Sequence, residues 1–238
     1  MKSFDKVAIT KINISASELV KSSLAQMVYL MYNDDKRVVT DRQLQSVEYQ
    51  KEFKFEYEEM IGCYKPSLFY LNFSIDGIDN NTGFEIKMVN PDAPAWLFKM
   101  SVIQSSFYYM LIKHVTYLST AKFHVKAGNE PQTIYLNNYP IDKFILIYGT
   151  KRYEVSMCDE LFDFYINKLK YLETCIMLND LSKSIEMARQ WDAQFKKKEI
   201  DLFFHKITVK ELQQPKKKSL KNVIKLLFNW LNKLCRNE

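Results

Sequence analysis

The sequence has little of several residue patterns that mark large classes of protein. Its 238 residues include only five glycines and six prolines, and 47% are hydrophobic, which is typical of a folded chain. The four cysteines form no CxxC pair, so neither a zinc ribbon nor a disulfide framework is predicted. No stretch approaches about 18 consecutive apolar residues, and the first residues lack an apolar signal core. We therefore expect a protein of the bacterial or host-cell cytoplasm, without membrane attachment.

The net charge of +6 is concentrated near the C-terminal end. Residues 206–238 contain nine Lys or Arg and two acidic residues, a net of +7, which leaves −1 for residues 1–205. This predicts one domain over 1–205, then a basic hinge and an amphipathic helix over 206–238. Two roles of this segment are equally favoured: contact with DNA phosphates through Lys216, Lys217 and Lys218, and packing on the domain. Contact with a membrane or partner surface is less favoured.

The spacing of apolar residues predicts an α/β fold. Helices are expected at residues 17–32 (capped by Ser15 or Ser17), 41–61, 95–118 and 159–195. A β-hairpin is expected at residues 68–89, around a polar turn at 79–83. Further strands are expected at residues 121–127, 132–137, 143–149 and 152–157. Together these elements predict a central mixed sheet that is built on the hairpin and flanked by helices.

Two acidic residues of the hairpin are candidate ligands of a divalent cation. Asp76 ends its first strand and Glu85 lies in its second, so the turn brings both carboxylates together. Mg²⁺ prefers such oxygen ligands, and the backbone carbonyl of Ile86 is a further candidate. Lys87 shares a face of the strand with Glu85, where its ammonium can orient or deprotonate a water, or offset negative charge. Alone, a D-x8-E-x-K pattern is also common on solvated hairpins.

A second signal follows in the next helix, where Gln104 and Tyr108 are four residues apart and share a face. Without the upstream carboxylates, a structural hydrogen-bonded pair would be the better interpretation. With them, the order of motifs resembles the RecB-like branch of the PD-(D/E)XK nucleases. Residues 14–18 and 74–77 are similar to motifs of the YqaJ and lambda-exonuclease group of phage recombination nucleases. The resemblance covers about residues 11–110.

This resemblance implies a restriction-endonuclease-like core and an exonuclease that uses Mg²⁺ or Mn²⁺ to resect duplex DNA ends. The setting would be recombination or repair in a phage or mobile element, with a single-strand annealing protein as partner and a homo-oligomeric assembly. The implied catalytic residues are Asp76, Glu85, Lys87, Gln104 and Tyr108. An endonuclease of the same fold, and an inactive nuclease fold that binds DNA or a partner, are the alternatives.

The resemblance also implies binding residues. The metal ligands are Asp76, Glu85, the carbonyl of Ile86 and, as a weaker ligand, Gln50. Gln50 stands where the family has a Glu, so a second cation is expected to bind weakly or not at all, unless a shift of register lets Glu48 or Glu52 serve instead. The residues implied to hold a 5′-terminal phosphate are Ser15, Ser17 and Lys11.

Overall fold

The computed structural model describes residues 12–33, 49–50, 52–90, 92–120, 131–195 and 199–213. Several predictions fall outside these ranges. They are Lys11, Lys216, Lys217 and Lys218, the strand at 121–127, most of the hinge, the C-terminal helix, and residues 41–48 of the second helix.

The described residues form an α/β fold in which helices flank a mixed central sheet. The strands are β1 (Asn13–Ser15), β2 (Tyr57–Tyr64), β3 (Tyr70–Asp79), β4 (Thr82–Lys87), β5 (Tyr117–Thr120), β6 (Thr133–Tyr135), β7 (Lys143–Tyr148), β8 (Lys151–Val155) and β9 (Val209–Leu212). The helices are α1 (Ala16–Lys21), α2 (Leu24–Asn33), α3 (Ala95–Lys113), α4 (Asp159–Met177), α5 (Leu181–Phe195) and α6 (Glu199–Phe204). The predicted fold class is confirmed at this level.

The sheet order is β6-β5-β2-β3-β4-β7-β8-β9, and β1 adds to β3. The β4–β7 and β1–β3 pairs are parallel, whereas the other neighbours are antiparallel. The strand β9 lies beyond residue 205, so the sheet continues into the segment that was predicted as an appendage. Among the described helices, none combines the length and apolar character needed to cross a lipid bilayer.

The hairpin of β3 and β4 forms as the sequence predicts. Asn80 and Asn81 make its turn, with φ angles of 47° and 59°. Asn tolerates this left-handed conformation better than most residues, and two such residues in succession suit the twist of a tight hairpin. The turn therefore fixes the register that places Asp76 and Glu85 near each other.

Two of the predicted helices are interrupted. The first breaks at Ser22 and Ser23, and the carboxylate of Asp192 on α5 caps the new helix by accepting the Leu24 and Ala25 N–H groups at 2.9 and 3.0 Å. The last breaks after Met177, where Asn179 has a φ of 50°. These breaks let α5 fold back and pack against α2 and α4.

Two other helix predictions end at the wrong residue. The helix at 41–61 was wrong in its last part, because residues 57–61 belong to β2 and pair with β3 along nearly its whole length. The helix at 95–118 ends at Lys113, and the chain enters β5 at Tyr117. In both places pairing with a distant strand overrides the local apolar spacing.

The helix α3 runs through the main core. Every residue from 101 to 112 is buried, because the helix packs between the sheet and α4. Polar side chains in this segment are therefore removed from water and need partners inside the protein. A smaller cluster of Phe84, Ile86 and Ile147 is separate from this core and is covered by Tyr49, Phe53, Phe55 and Ile145.

Candidate active site

The candidate site lies where β3 changes partners along one edge. On its other edge β3 pairs with β2 from Leu71 to Ile78. On the site edge it pairs first with β1 at residues 70–72 and then with β4 only from Gly77 onward. The strands β3 and β4 therefore separate at Asp76. The Asp76 Oδ2 atom accepts the Ile86 N–H at 2.6 Å, as a backbone carbonyl would in a regular ladder.

Glu85 is the centre of a buried hydrogen-bond network that joins β4 to α3. The residue is only 4% exposed, and its Oε1 atom accepts hydrogen bonds from Lys87 Nζ and, at 2.9 Å, from Gln104 Nε2. Gln104 Nε2 also donates to the Tyr108 hydroxyl at 2.9 Å. The structure thus brings together all five predicted catalytic residues, counting Asp76 on the adjoining strand.

Two buried polar atoms of this network have no hydrogen-bond partner among the described residues. They are Glu85 Oε2 and Gln104 Oε1. A buried carboxylate oxygen without a partner is costly unless a cation or another donor satisfies it. Glu85 Oε2 is therefore a candidate ligand atom.

The oxygen donors fit a hard divalent cation. Asp76 and Glu85 supply carboxylates, and the Ile86 carbonyl faces the same edge of β4 as the Ile86 N–H that binds Asp76, because both groups of one strand residue point the same way. Within the described ranges, no group of three or more His, Cys, Asp or Glu side chains could hold a metal ion.

Burial and the neighbouring Glu85 charge perturb the pKa of Asp76. The pKa of Asp76 is well above its ordinary value, because of burial and then the charge of Glu85, with a smaller contribution from Glu59. Lys87 and the Ile86 N–H oppose this rise. A cation between the two carboxylates would relieve the repulsion that raises the Asp76 pKa.

Lys87 and Tyr108 both keep their protons more tightly than usual. Burial lowers the pKa of Lys87, but the charges of Glu85 and Asp76 outweigh it and raise that pKa overall. Burial, followed by the charge of Glu85, raises the pKa of Tyr108 well above its ordinary value. At neutral pH the site therefore contains an ammonium and a neutral phenol, both hydrogen-bond donors.

Gln50 contacts the Asp76 oxygen that does not bind the Ile86 N–H. Its Nε2 atom donates to Asp76 Oδ1 at 3.0 Å. The neighbouring Tyr49 anchors this segment, because its hydroxyl donates to the Gly149 carbonyl at 2.9 Å and its ring packs edge-on against Phe53. Gln50 therefore presents an N–H donor to Asp76, whereas the sequence predicted a weak metal ligand.

The two predicted phosphate-binding serines lie at the start of α1. Ser15 Oγ and Ser17 Oγ are 2.9 Å apart. Ser17 also lies near the Tyr108 side chain, because it partly offsets the rise in the pKa of that phenol. The serines are thus connected through Tyr108 and Gln104 to Glu85, which the sequence alone did not indicate.

Sequence reasoning missed two features around Asp76. Glu59 lies opposite Asp76 by the β2–β3 register and has a φ of 52°, but it fell in a predicted helix. Gly77 leaves room for Phe55, since a Cβ atom there would be 2.0 Å from Phe55 Cδ2. The glycine after Asp76 was visible in the sequence, but its partner was not.

Comparisons of the chain with protein-family models, with curated proteins and with solved structures found no match.

Proposed function

We propose that the protein is a metal-dependent deoxyribonuclease with a restriction-endonuclease-like core, as its PD-(D/E)XK motifs imply, and that it degrades duplex DNA from its ends. One observation carries the proposal. Lys87, Gln104 and Tyr108 join the buried Glu85 in one hydrogen-bond network, and Asp76 bonds the adjoining Ile86 N–H, although these residues come from two strands and a helix. A solvated hairpin, the alternative explanation of the motif, would leave Glu85 exposed.

The oxygen atoms that would hold Mg²⁺ or Mn²⁺ are those of Asp76, Glu85 Oε2 and the Ile86 carbonyl. Such an ion supplies Lewis-acid chemistry for phosphodiester hydrolysis and lowers the pKa of an attacking water. The proposal is supported by the partnerless Glu85 Oε2 and by the raised pKa of Asp76.

The remaining residues have distinct roles in this proposal. Lys87 directs its ammonium to the scissile phosphate, where it orients the attacking water and offsets charge in the transition state. Gln104 fixes the Glu85 carboxylate, and Tyr108 fixes Gln104. These two are positioning residues.

An exonuclease is favoured over an endonuclease because Ser15 and Ser17 lie beside Tyr108, where they can donate to a terminal phosphate. The Gln50 amide, which contacts Asp76 where the resemblance implies a Glu, favours one further candidate, an inactive nuclease fold that binds DNA. A single-strand annealing partner, a homo-oligomer and a cytoplasmic location remain predictions.

A cleavage assay tests the proposal. End-labelled linear and closed circular duplex DNA are incubated with the full chain in Mg²⁺, Mn²⁺ or EDTA. We expect metal-dependent loss of the linear DNA only, and a loss of activity of about 100-fold or more in Asp76→Asn and Lys87→Met. Asp163→Asn and Lys143→Met make the same changes at exposed positions and should remain active.

Each other result has a defined meaning. Cleavage of the circle would favour the endonuclease. DNA binding without cleavage of either substrate would favour the inactive binding module. Equal activity of Asp76→Asn and Asp163→Asn would reject this site.

A further inference from the structure

We infer that the site takes a single divalent cation and that Gln50 sets this number. The inference rests on the proposed function, because it concerns the same carboxylates. It goes further by assigning the metal count to one side chain.

The four carboxylate oxygens of Asp76 and Glu85 differ in their hydrogen-bond partners. Asp76 Oδ2 accepts the Ile86 N–H, and Asp76 Oδ1 accepts Gln50 Nε2. Glu85 Oε1 accepts both Lys87 Nζ and Gln104 Nε2. Glu85 Oε2 is the one oxygen of the four with no partner among the described residues.

The groups around these oxygens leave a favourable approach for one cation. A carboxylate oxygen has two lone-pair directions, so Asp76 can accept one N–H at each oxygen and still contribute to a cation shared with Glu85 Oε2. A second cation would have to approach Asp76 Oδ1 or Glu85 Oε1. The first approach meets the Gln50 amide, and the second meets the Lys87 ammonium. Both present positive charge or a positive dipole end, which repels a metal ion.

Hydrogen bonds hold Gln50 in this orientation. Its amide nitrogen, and not its amide oxygen, faces Asp76 Oδ1. The Tyr49 hydroxyl, bound to the Gly149 carbonyl, fixes the adjoining backbone. Gln50 therefore holds an N–H donor on the side of Asp76 that faces away from Ile86.

Replacing that donor by an acceptor should open a second site. In Gln50→Glu a carboxylate would stand about 3 Å from Asp76 Oδ1, as the amide does now. Two carboxylates so close repel each other unless a cation lies between them. We therefore expect Gln50→Glu to bind one more ion than the wild type and to be less stable than the wild type in EDTA.

The experiment counts bound Mn²⁺ by the electron paramagnetic resonance signal of the free ion during titration of the full chain. The count of the Asp76→Asn variant is subtracted, which removes ions bound elsewhere. We expect one site-dependent ion for the wild type and two for Gln50→Glu. Gln132→Glu adds the same charge at an exposed position and should give one.

The outcomes separate the inference from the function on which it rests. Two site-dependent ions in the wild type would overturn the single-cation inference and leave the proposed nuclease intact. One ion in a folded Gln50→Glu would overturn the role of Gln50. No site-dependent ion in the wild type would reject both the inference and the proposed metal-dependent enzyme. If Gln50→Glu does not fold, the wild-type count still decides the first point.

Discussion

The exchange of Glu85 for Gln should have opposite effects on stability with and without metal. Gln keeps an oxygen for the Lys87 and Gln104 donors, and its amide replaces the partnerless Oε2. It removes one of the two negative charges that a shared cation would neutralise. We therefore expect the Glu85→Gln variant to be more stable than the wild type in EDTA and less stable in Mn²⁺.

The raised pKa of Asp76 explains why Glu85→Gln should be the more stable protein in EDTA. Its pKa in the fold is above its ordinary value, so its contribution to stability is complete at acidic pH and is lost as the pH rises through the folded pKa. The charge of Glu85 is the second cause of that rise, after burial. The advantage of Glu85→Gln should thus grow from acidic to neutral pH, to about 0.5–2 kcal/mol, the range typical of a single stabilising substitution.

The stabilisation of the fold by Mn²⁺ depends on the ratio of the free ion concentration to the dissociation constant. Free Mn²⁺ at about 100 times the dissociation constant stabilises a one-site protein by about 2.7 kcal/mol, which is about 5–11 °C in Tm at this chain length. The wild type should gain this in thermal melts and Glu85→Gln should gain little. The exposed control Glu186→Gln should follow the wild type. Equal Mn²⁺ stabilisation of wild type and Glu85→Gln would refute the shared-cation reasoning.

Three further substitutions test the structure around the site. Gly77→Ala should lower the free energy of unfolding by about 1–3 kcal/mol, because the new Cβ atom overlaps the Phe55 ring. Asp192→Ala should lower it by about 0.5–2 kcal/mol, since the N-terminus of α2 loses its cap. Tyr108→Phe should leave metal-induced stabilisation unchanged but reduce cleavage, because Gln104 loses the hydroxyl that orients it.

Urea unfolding measures the first two changes, and the cleavage assay combined with melting in Mn²⁺ measures the third. Phe55→Leu combined with Gly77→Ala should be less destabilising than the sum of the single changes, since the smaller side chain removes the overlap. Asp163→Ala, at an exposed position on α4, should change stability little. Additive effects in the double variant would contradict the overlap of Phe55 with a Cβ atom at Gly77. An Asp192→Ala variant as stable as the wild type would contradict the cap of α2. A Tyr108→Phe variant that Mn²⁺ does not stabilise would contradict the role given to Tyr108.

Much of the site was predictable because its signals are local in the chain. A tight Asn-Asn turn places Asp76 near Glu85, the strand period puts Glu85 and Lys87 on one face, and the helix period aligns Gln104 with Tyr108. Each relation depends only on spacing within one or two elements. The central sheet and its hairpin were predicted for the same reason.

The parts that sequence reasoning missed depend on contacts between distant residues. Residues 57–61 have spacing that suits a helix, yet pairing with β3 makes them a strand. The breaks in the first and last helices depend on Asp192 and Asn179, whose effect requires the packing of α5. No local pattern reveals that β3 passes from β1 to β4 at Asp76.

The sequence by itself thus determined which side chains are candidates for the site and in what order they occur, since turn type and helical or strand period act over a few residues. Only the tertiary structure decided the environment of those side chains. It buried Glu85, left one of its oxygens without a partner among the described residues, and directed the Gln50 amide toward Asp76. Burial and charge depend on residues far apart in the chain, and these properties distinguish a metal site from a solvated hairpin.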